Sequence, residues 1–256
     1  MKTLIFYKTV SNIEKEAKKI ATILNADLQA DTKTHYPTSF ENATKKYNLV
    51  ITVGGDGTVL HAELIYPGIP KLPLGAGNLE FLSSMSLDHW EKAIKHYQEK
   101  KYIVEERFKI SCDKSPDALN EINISKKPLG QMFEGEVHID NQFVFKIRGD
   151  GIIIATPTGS TAYALACGSD IIDPKIETIS VVPVASFTLH TRPLVIPSTK
   201  KVKIISSKKC IAITDGIKIK DYPAKTEFNI RSAKTKAKLI RFPKQPNFYH
   251  KLQLLK

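Results

Sequence analysis

Five residues, Gly54-Gly55-Asp56-Gly57-Thr58, follow directly on the apolar run Leu49-Val50-Ile51-Thr52-Val53 and carry the first chemistry in the chain. Three glycines leave backbone N–H groups bare to an approaching anion. The segment Val59 to Tyr66 can be helical, and a helix N-terminus adds partial positive charge. A phosphate-bearing ligand is the natural guest. Asp56 is the odd member, because a carboxylate beside phosphate is repulsive unless it binds a metal or takes a proton. That combination points to phosphoryl transfer rather than simple nucleotide docking. The plain alternative is a glycine-rich turn with a surface Asp.

Two familiar glycine-loop readings fail here. The dinucleotide fingerprint G-x-G-x-x-G, counted from Gly55, requires Gly where Leu60 stands, and the P-loop pattern G-x-x-x-x-G-K-[ST] occurs nowhere. Phosphate must be held without a P-loop lysine.

The second cluster runs from Asp150 to Tyr163. A β-branched strand, Gly151 to Ala155, ends in a turn holding four hydroxyl side chains, one Gly and one Pro, followed by small residues and Tyr163. Hydroxyls and freed backbone groups at a strand end suit ribose and amide groups. A Ser/Thr-rich helix start, with Thr158 or Ser160 as N-cap, is the competing reading.

Together the two clusters resemble the NAD kinase family. Gly54 to Thr58 matches its first motif, Asp150 to Tyr163 its long second motif, and Asn120-Glu121 the short Asn-acidic motif between them. Pro183-Val184-Ala185-Ser186, Arg192 to Pro197 and Thr214-Asp215-Gly216 are similar to its later landmarks, in the right order, so the resemblance spans roughly residues 1 to 250. Lipid and sugar kinases share the first motif; the second is specific. One departure stands out. In Leu74-Gly75-Ala76-Gly77-Asn78-Leu79-Glu80-Phe81-Leu82 the loop is shorter than usual, and Glu80 stands where the family typically has Gly.

The resemblance implies transfer of a terminal phosphoryl group from ATP or polyphosphate to the 2′-hydroxyl of the adenosine ribose of NAD, giving NADP. Asp56 would be the base or the orienter of that hydroxyl. Gly54, Gly55, Gly57 and Thr58 would hold donor phosphates. Mg²⁺ or another divalent cation would be carried mainly by those phosphates, with Asp56 its candidate protein ligand. Asn120 and Glu121 would bind ribose hydroxyls, Asp150 would accept from an amide or amino group, and Thr161, Ala162 and Tyr163 would line a base pocket beside Thr158. Ala185 would approach the dinucleotide across a subunit boundary, in a homotetramer or homodimer. The runner-up activity is a lipid or sphingoid-base kinase, although no amphipathic membrane-binding segment stands out. A nucleotide-sensing or nucleic-acid-binding module is the non-enzyme alternative.

These residues need elements to position them, and 256 residues suffice for one large domain or two modest ones. The formal charge of +12 is lysine-rich, and lysines alternating with apolar residues, as in Lys200 to Lys203, read as the wet face of strands. Steering of anionic ligands is the second reading; no aromatic-interleaved basic ribbon supports nucleic acid as a partner. Cys112, Cys167 and Cys210 form neither a disulfide framework nor a zinc pattern. No run reaches the ~18 apolar residues of a membrane span, and the first residues lack a signal-peptide core. The expectation is a cytoplasmic protein with no membrane partner.

The first hundred residues alternate strand and helix. Strands are expected at Thr3 to Tyr7, Asp27 to Ala30, Leu49 to Val53 and Lys71 to Leu74. A helix opened by a Ser11–Glu14 capping box would bury Ile13, Ala17, Ile20, Ala21 and Leu24, and Asp88 to Glu91 would cap another. A polar stretch reaches Lys46. From about Tyr102 short alternating segments recur, with Asp140-Asn141 and Asp215-Gly216 at hairpin-turn positions. The predicted fold is an α/β N-terminal domain with a parallel sheet (1–100) plus a β-rich, sandwich-like C-terminal domain (101–241), in the manner of diacylglycerol kinases and NAD kinases. Residues 242–256 would return to pack on the first domain, and ligand would bridge the two.

Overall fold

In the first unit, strand β1 (Thr3–Lys8), β3 (Leu49–Val53) and β4 (Lys71–Gly75) are almost wholly buried on both faces. That is the burial parallel strands acquire when helices cover both sides. The computed structural model describes residues 2–32, 46–77, 80–127, 130–188, 190–243 and 245–254; most of the polar stretch before Lys46 lies outside them. The chain divides into two compact units, 1–106 with 237–256, and 107–236.

In the first unit α1 (Ser11–Leu24) follows β1, β2 (Asp27–Asp31) pairs parallel to β1, and α2 (Asp56–Ile65) follows β3. After β4 come β5 (Met85–Ser86), α3 (Trp90–Gln98) and β6 (Ile103–Arg107). Leu4, Phe6 and Val50 pack on one face against Ala62 and Ile65 of α2. Ile5, Ile51, Leu72 and Leu74 pack on the other against α1 and α3. Helix α1 turns Ile13, Ala17, Ile20 and Ala21 inward, the face its 3.6-residue period dictates.

The second unit holds β7 (Ile110–Cys112), β8 (Ser115–Ala118), β9 (Glu121–Lys126), β10 (Phe133–Ile139), β11 (Gln142–Gly149), β12 (Gly151–Ala155), the short helix α4 (Tyr163–Ala166), β13 (Thr178–Val184), β14 (Leu194–Pro197), β15 (Val202–Ser206), β16 (Cys210–Thr214), β17 (Ile217–Tyr222) and β18 (Glu227–Ser232). They form two six-stranded sheets, ordered β11-β10-β15-β18-β7-β8 and β14-β13-β12-β9-β16-β17. One core joins them, with Phe133, Val137, Ile204 and Phe228 from the first and Ile122, Ile152, Ile154 and Val181 from the second. This is a β-sandwich. Both expected hairpin turns have left-handed backbone at each central residue, φ 49° and 67° at Asp140-Asn141 and 48° and 79° at Asp215-Gly216, the type I′ pattern.

Strand β19 (Ala237–Arg241) returns to the first unit, pairs parallel to β4 and lies between β4 and β6 in the sheet order β2-β1-β3-β4-β19-β6. Helix α5 (Phe248–Leu252) follows in the same unit. The units therefore join at 106/107 and 236/237, where the sequence reading places 100/101 and 241/242. Alternation alone cannot tell a returning strand from one more sandwich strand.

Helix starts differ too. Val10, not Ser11, has the extended cap backbone of α1, and no side chain caps it. Ser11 is already helical, so its hydroxyl is not aimed along the axis as a capping box needs. Helix α2 begins at Asp56 rather than Val59, with Gly55 as N-cap. At the third helix Ser86 accepts the Asp88 N–H at the start of a 3₁₀ turn, and α3 proper starts at Trp90. Among the described residues no helix is long and apolar enough to cross a membrane.

Candidate active site

The phosphate turn lies at the C-terminal end of β3. Gly54 has φ 153°, and a Cβ there would meet Thr58 Oγ1 at 2.5 Å, so only glycine fits against the buried threonine. Asp56 opens α2 with its carboxylate turned onto backbone. Its Oδ2 accepts the Phe81 N–H at 2.8 Å and its Oδ1 the Leu82 N–H at 3.0 Å. Those amides are themselves held. Arg241 Nη1 donates to the carbonyls of Leu82 and Ser83, both at 2.8 Å, and Arg241 Nε pairs with Glu105. Lys251 of α5 donates to Ser83 O at 2.9 Å. The returning strand and terminal helix thus fix the turn that fixes Asp56. Burial raises the Asp56 pKa, against the opposing pull of the Leu82 and Phe81 N–H groups and the charges of Lys251 and Arg241.

A cavity of about 490 Å³ lies beside this turn, walled by Gly75, Gly77 and Glu80 and by the basic side chains His89, Lys92, His96, His250 and Lys251. His61, four residues after Gly57, is buried with its Nδ1 2.6 Å from Asp31 Oδ1 and its ring edge-on to Phe6. It packs the helix.

In the second unit Asn120 and Glu121 enter β9 and are nearly buried. Asp215, at the β16–β17 turn, accepts the N–H groups of Leu119 at 2.8 Å, Asn120 at 2.8 Å and Glu121 at 3.0 Å. The side chains above are left unsatisfied: Asn120 Oδ1 and Glu121 Oε2 are buried without a hydrogen-bond partner. Burial, then the Asp215 charge, pushes Glu121 up to about 8, and burial pushes Asp215 up to about 6.

The turn after β12 is tied to this pair. Thr156 N–H donates to Asn120 O at 2.8 Å, Thr156 Oγ1 donates to Leu119 O at 2.5 Å, and Gly159 N–H donates to Thr156 Oγ1 at 3.2 Å. Gly159 presses so closely on Asn120 that a Cβ would stand 2.3 Å from its carbonyl oxygen. Thr158 Oγ1 accepts from Arg107 at 3.3 Å. Thr161 and Ala162 lead into α4, where Ala164 packs on Ile153, Ala155, Val182 and Val184. Tyr163 is 45% exposed.

The structure brings Asn120, Glu121, Thr158, Thr161 and Ala162 to one end of β12. Asp150 and Ala185 lie at the other, since Gly151 pairs with Val184 while Ala155 pairs with Glu121. Four residues at ~3.3 Å rise separate the ends by about 13 Å. Asp150 pairs with Lys126. Ala185 has φ 44°, a left-handed strain that an Ala tolerates only when its surroundings impose it. The sequence places Asp215 at a hairpin turn within a family landmark but does not show its hold on Glu121. Sequence reasoning also missed Ser180, whose hydroxyl is buried and partnerless on the strand position opposite Ala155. A polar residue alternating with Ile179 and Val181 was the one available signal.

A glycine turn with a held carboxylate, and a sandwich bearing partnerless acceptors beside a hydroxyl-rich turn, fit the class of nucleotide-dependent phosphotransferases. The comparisons agree. The N-terminal domain model of the ATP-NAD kinases matches residues 4–102 and the C-terminal domain model residues 119–242. An NAD kinase of Methanosphaera stadtmanae is 31% identical over 256 residues, covering 97% of this chain and 90% of that protein. One of Methanothermobacter thermautotrophicus is 35% identical over 214 residues, covering 80% and 75%. The crystal structure of an NAD kinase from Archaeoglobus fulgidus in complex with ATP superposes over the whole of both chains with a TM-score of 0.82 at 25% identity. Yeast NADH kinase complexed with NADH shares the fold, with a TM-score of 0.87 at 19% identity over all of this chain and 87% of that one. The chain belongs to the NAD kinase family and is a kinase acting on NAD.

Proposed function

We propose that the chain moves the terminal phosphoryl group of ATP, or of polyphosphate, onto the 2′-hydroxyl of the NAD adenosine ribose, with Asp56 as base or orienter. The observation that carries the acceptor side is the pair of partnerless buried oxygens, Asn120 Oδ1 and Glu121 Oε2. Leaving buried acceptors unpaired is costly, and two vicinal ribose hydroxyls are donors of the right number. Thr158, Thr161, Ala162 and the open ring of Tyr163 would flank the base. Asp150 and the strained Ala185 would meet the far end of an extended dinucleotide.

On the donor side, Gly54 and Gly55 lead into α2 and Gly57 and Thr58 lie in its first turn. The Gly54 and Thr58 N–H groups are taken by Leu74 O and Gly55 O, so the Gly55 and Gly57 amides and the helix dipole would be what favours phosphate. A raised Asp56 pKa makes its carboxylate a stronger base for a ribose hydroxyl, and such positioned assistance is worth about 10²–10⁴ in rate. ATP as donor is supported by the Archaeoglobus fulgidus kinase having been crystallised with it.

Among the described residues no group of three or more His, Cys, Asp or Glu could hold a metal ion. Mg²⁺ usually takes one or two carboxylates and the substrate's own phosphates. Asp56 would hold it, each carboxylate oxygen keeping a free lone pair after accepting one N–H; bound there, Mg²⁺ neutralises charge on the phosphoryl group. The chain's own part is to position Asp56 through the 81–84 turn.

A homo-oligomer, tetramer or dimer, accompanies this reading, supported by edge strand β11, where Phe143 is 50% exposed beside the partly exposed Val144. Paired edges remove such a liability. The three free cysteines fit a cytoplasmic, reducing setting. Incubating the protein with NAD, ATP and Mg²⁺ and detecting NADP with a coupled dehydrogenase tests the reaction. Phosphorylation of a lipid with no NADP formed would replace it, and light scattering tests assembly.

A further inference from the structure

In the first unit a carboxylate already occupies backbone laid out for an anion. Glu80 Oε1 accepts the Gly77 N–H at 2.7 Å and the Ala76 N–H at 3.1 Å. Two glycines make room for it: a Cβ at Gly75 would lie 1.7 Å from Glu80 Oε2 and one at Gly77 2.9 Å from Oε1. At Gly55 a Cβ would stand 3.6 Å from Oε1, ordinary contact distance, and that nearness is the telling one. Gly55 caps α2, so Glu80 lies against the turn that carries Asp56. The two carboxylates feel one another; burial first, then the Asp56 charge, raises the Glu80 pKa against the pull of the Gly77 N–H.

On its other side Glu80 walls the basic cavity and is the one acidic side chain among the described residues lining it. Successive backbone N–H groups form a concave anion site, and Lys92 and Lys251 add positive charge around the space beyond, with the side chains of His89, His96 and His250 beside them. That surface suits a polyanion, with Glu80 in its mouth. A glycine at this position could not reach these amides.

We propose that Glu80 is a donor-affinity residue, an internal occupant of the phosphate cradle that the phosphoryl donor must displace from the Ala76 and Gly77 amides in order to bind. This rests on the kinase reading of the Asp56 turn. A site open in only a fraction of molecules shows a dissociation constant raised by the reciprocal of that fraction. Two charge-assisted bonds keep the open fraction small. Donor affinity in this chain is therefore lower than the cradle and cavity would otherwise give, and Glu80 sets by how much.

The test uses the full chain with Glu80→Gln and Glu80→Gly. Binding of inorganic tripolyphosphate with Mg²⁺ is measured by calorimetry without NAD, KM values for ATP and NAD by NADP formation, and folding by thermal melts. Both variants are expected to bind tripolyphosphate at least about tenfold tighter, with KM for ATP falling by a similar factor and KM for NAD unchanged. A residue that merely pinned the loop would give weaker binding on removal. Unchanged or weaker tripolyphosphate binding by a folded variant overturns the proposal, and Glu80→Gln decides alone if Glu80→Gly melts. Tighter binding without NADP from any of the three proteins would uphold the role of Glu80 and sink the kinase reading instead.

Discussion

Asp215 holds Glu121 by its backbone while leaving its carboxyl free: the Glu121 N–H reaches Asp215 Oδ1 at 3.0 Å, and Glu121 Oε2 has no partner. The same carboxylate takes the amides of Leu119 and Asn120. One turn residue thereby holds by their backbone both residues proposed to bind the ribose. Hydrogen bonds to a charged group are worth about 1.5–3 kcal/mol each, and an Asn in its place would turn an amide N–H₂ towards at least one donor. Asp215→Asn is expected to lower stability by about 2–4 kcal/mol in urea unfolding and to weaken NAD binding at least about tenfold. A variant with wild-type NAD affinity would show that the pair is positioned by something else.

The two carboxyls also set a pH dependence. In the unfolded chain Glu121 gives up its proton near 4.5, whereas in the folded protein it keeps it to about 8. Across that window the folded state binds the extra proton. Stability from this group is therefore full below 4.5 and is lost as pH rises towards 8, at up to ~1.4 kcal/mol per pH unit. Asp215 acts in the same sense between 3.8 and about 6. The melting temperature should fall from pH 6 to pH 8.5, and Glu121→Gln should flatten that fall. Parallel curves for the two proteins would mean that Glu121 titrates normally.

Asp56 allows a sharper separation of binding from chemistry. Asp56→Asn keeps the side chain's size and one of its two bonds to the 81–82 amides, but it cannot take a proton and is a poor Mg²⁺ ligand. kcat is expected to fall by about 10²–10⁴. NAD affinity, measured by calorimetry, should change little. Near-normal turnover would remove Asp56 from the chemistry.

How far the sequence carried depended on whether a signal was local. Buried parallel strands such as Leu49–Val53 and the Asp140-Asn141 turn are written in adjacent residues, and both appear where expected. Strand Ala237–Arg241 was not legible as part of the first unit, because its partner β4 lies more than 160 residues earlier and nothing local names it. The Arg241 grip on Leu82 and Ser83 is invisible for the same reason. The site motifs pointed to Asn120, Glu121 and Asp56. What holds each in place, Asp215 in one case and Phe81 and Leu82 in the other, comes from chain segments far apart in sequence.

Gly159 tests how tightly the second cluster is built. A Cβ there would stand 2.3 Å from Asn120 O, 2.7 Å from its carbonyl carbon and 2.9 Å from its Cα. All three are backbone atoms, so no side chain can rotate aside. The turn and the start of β9 would have to part, stretching the Thr156 N–H bond to Asn120 O. Overpacking of this kind costs about 1–3 kcal/mol, and a misplacement of about 1 Å can cost ~10²-fold in rate. Gly159→Ala is therefore expected to fold with a lowered melting temperature, to raise KM for NAD at least about tenfold, and to lose hydrogen-exchange protection at the Thr156 amide. KM for ATP should move far less, because the residues assigned to the donor belong to the other unit. Wild-type KM for NAD together with an unprotected Thr156 would show that the turn can open without disturbing the acceptor, and the tie between Gly159 and Asn120 would then be structural alone.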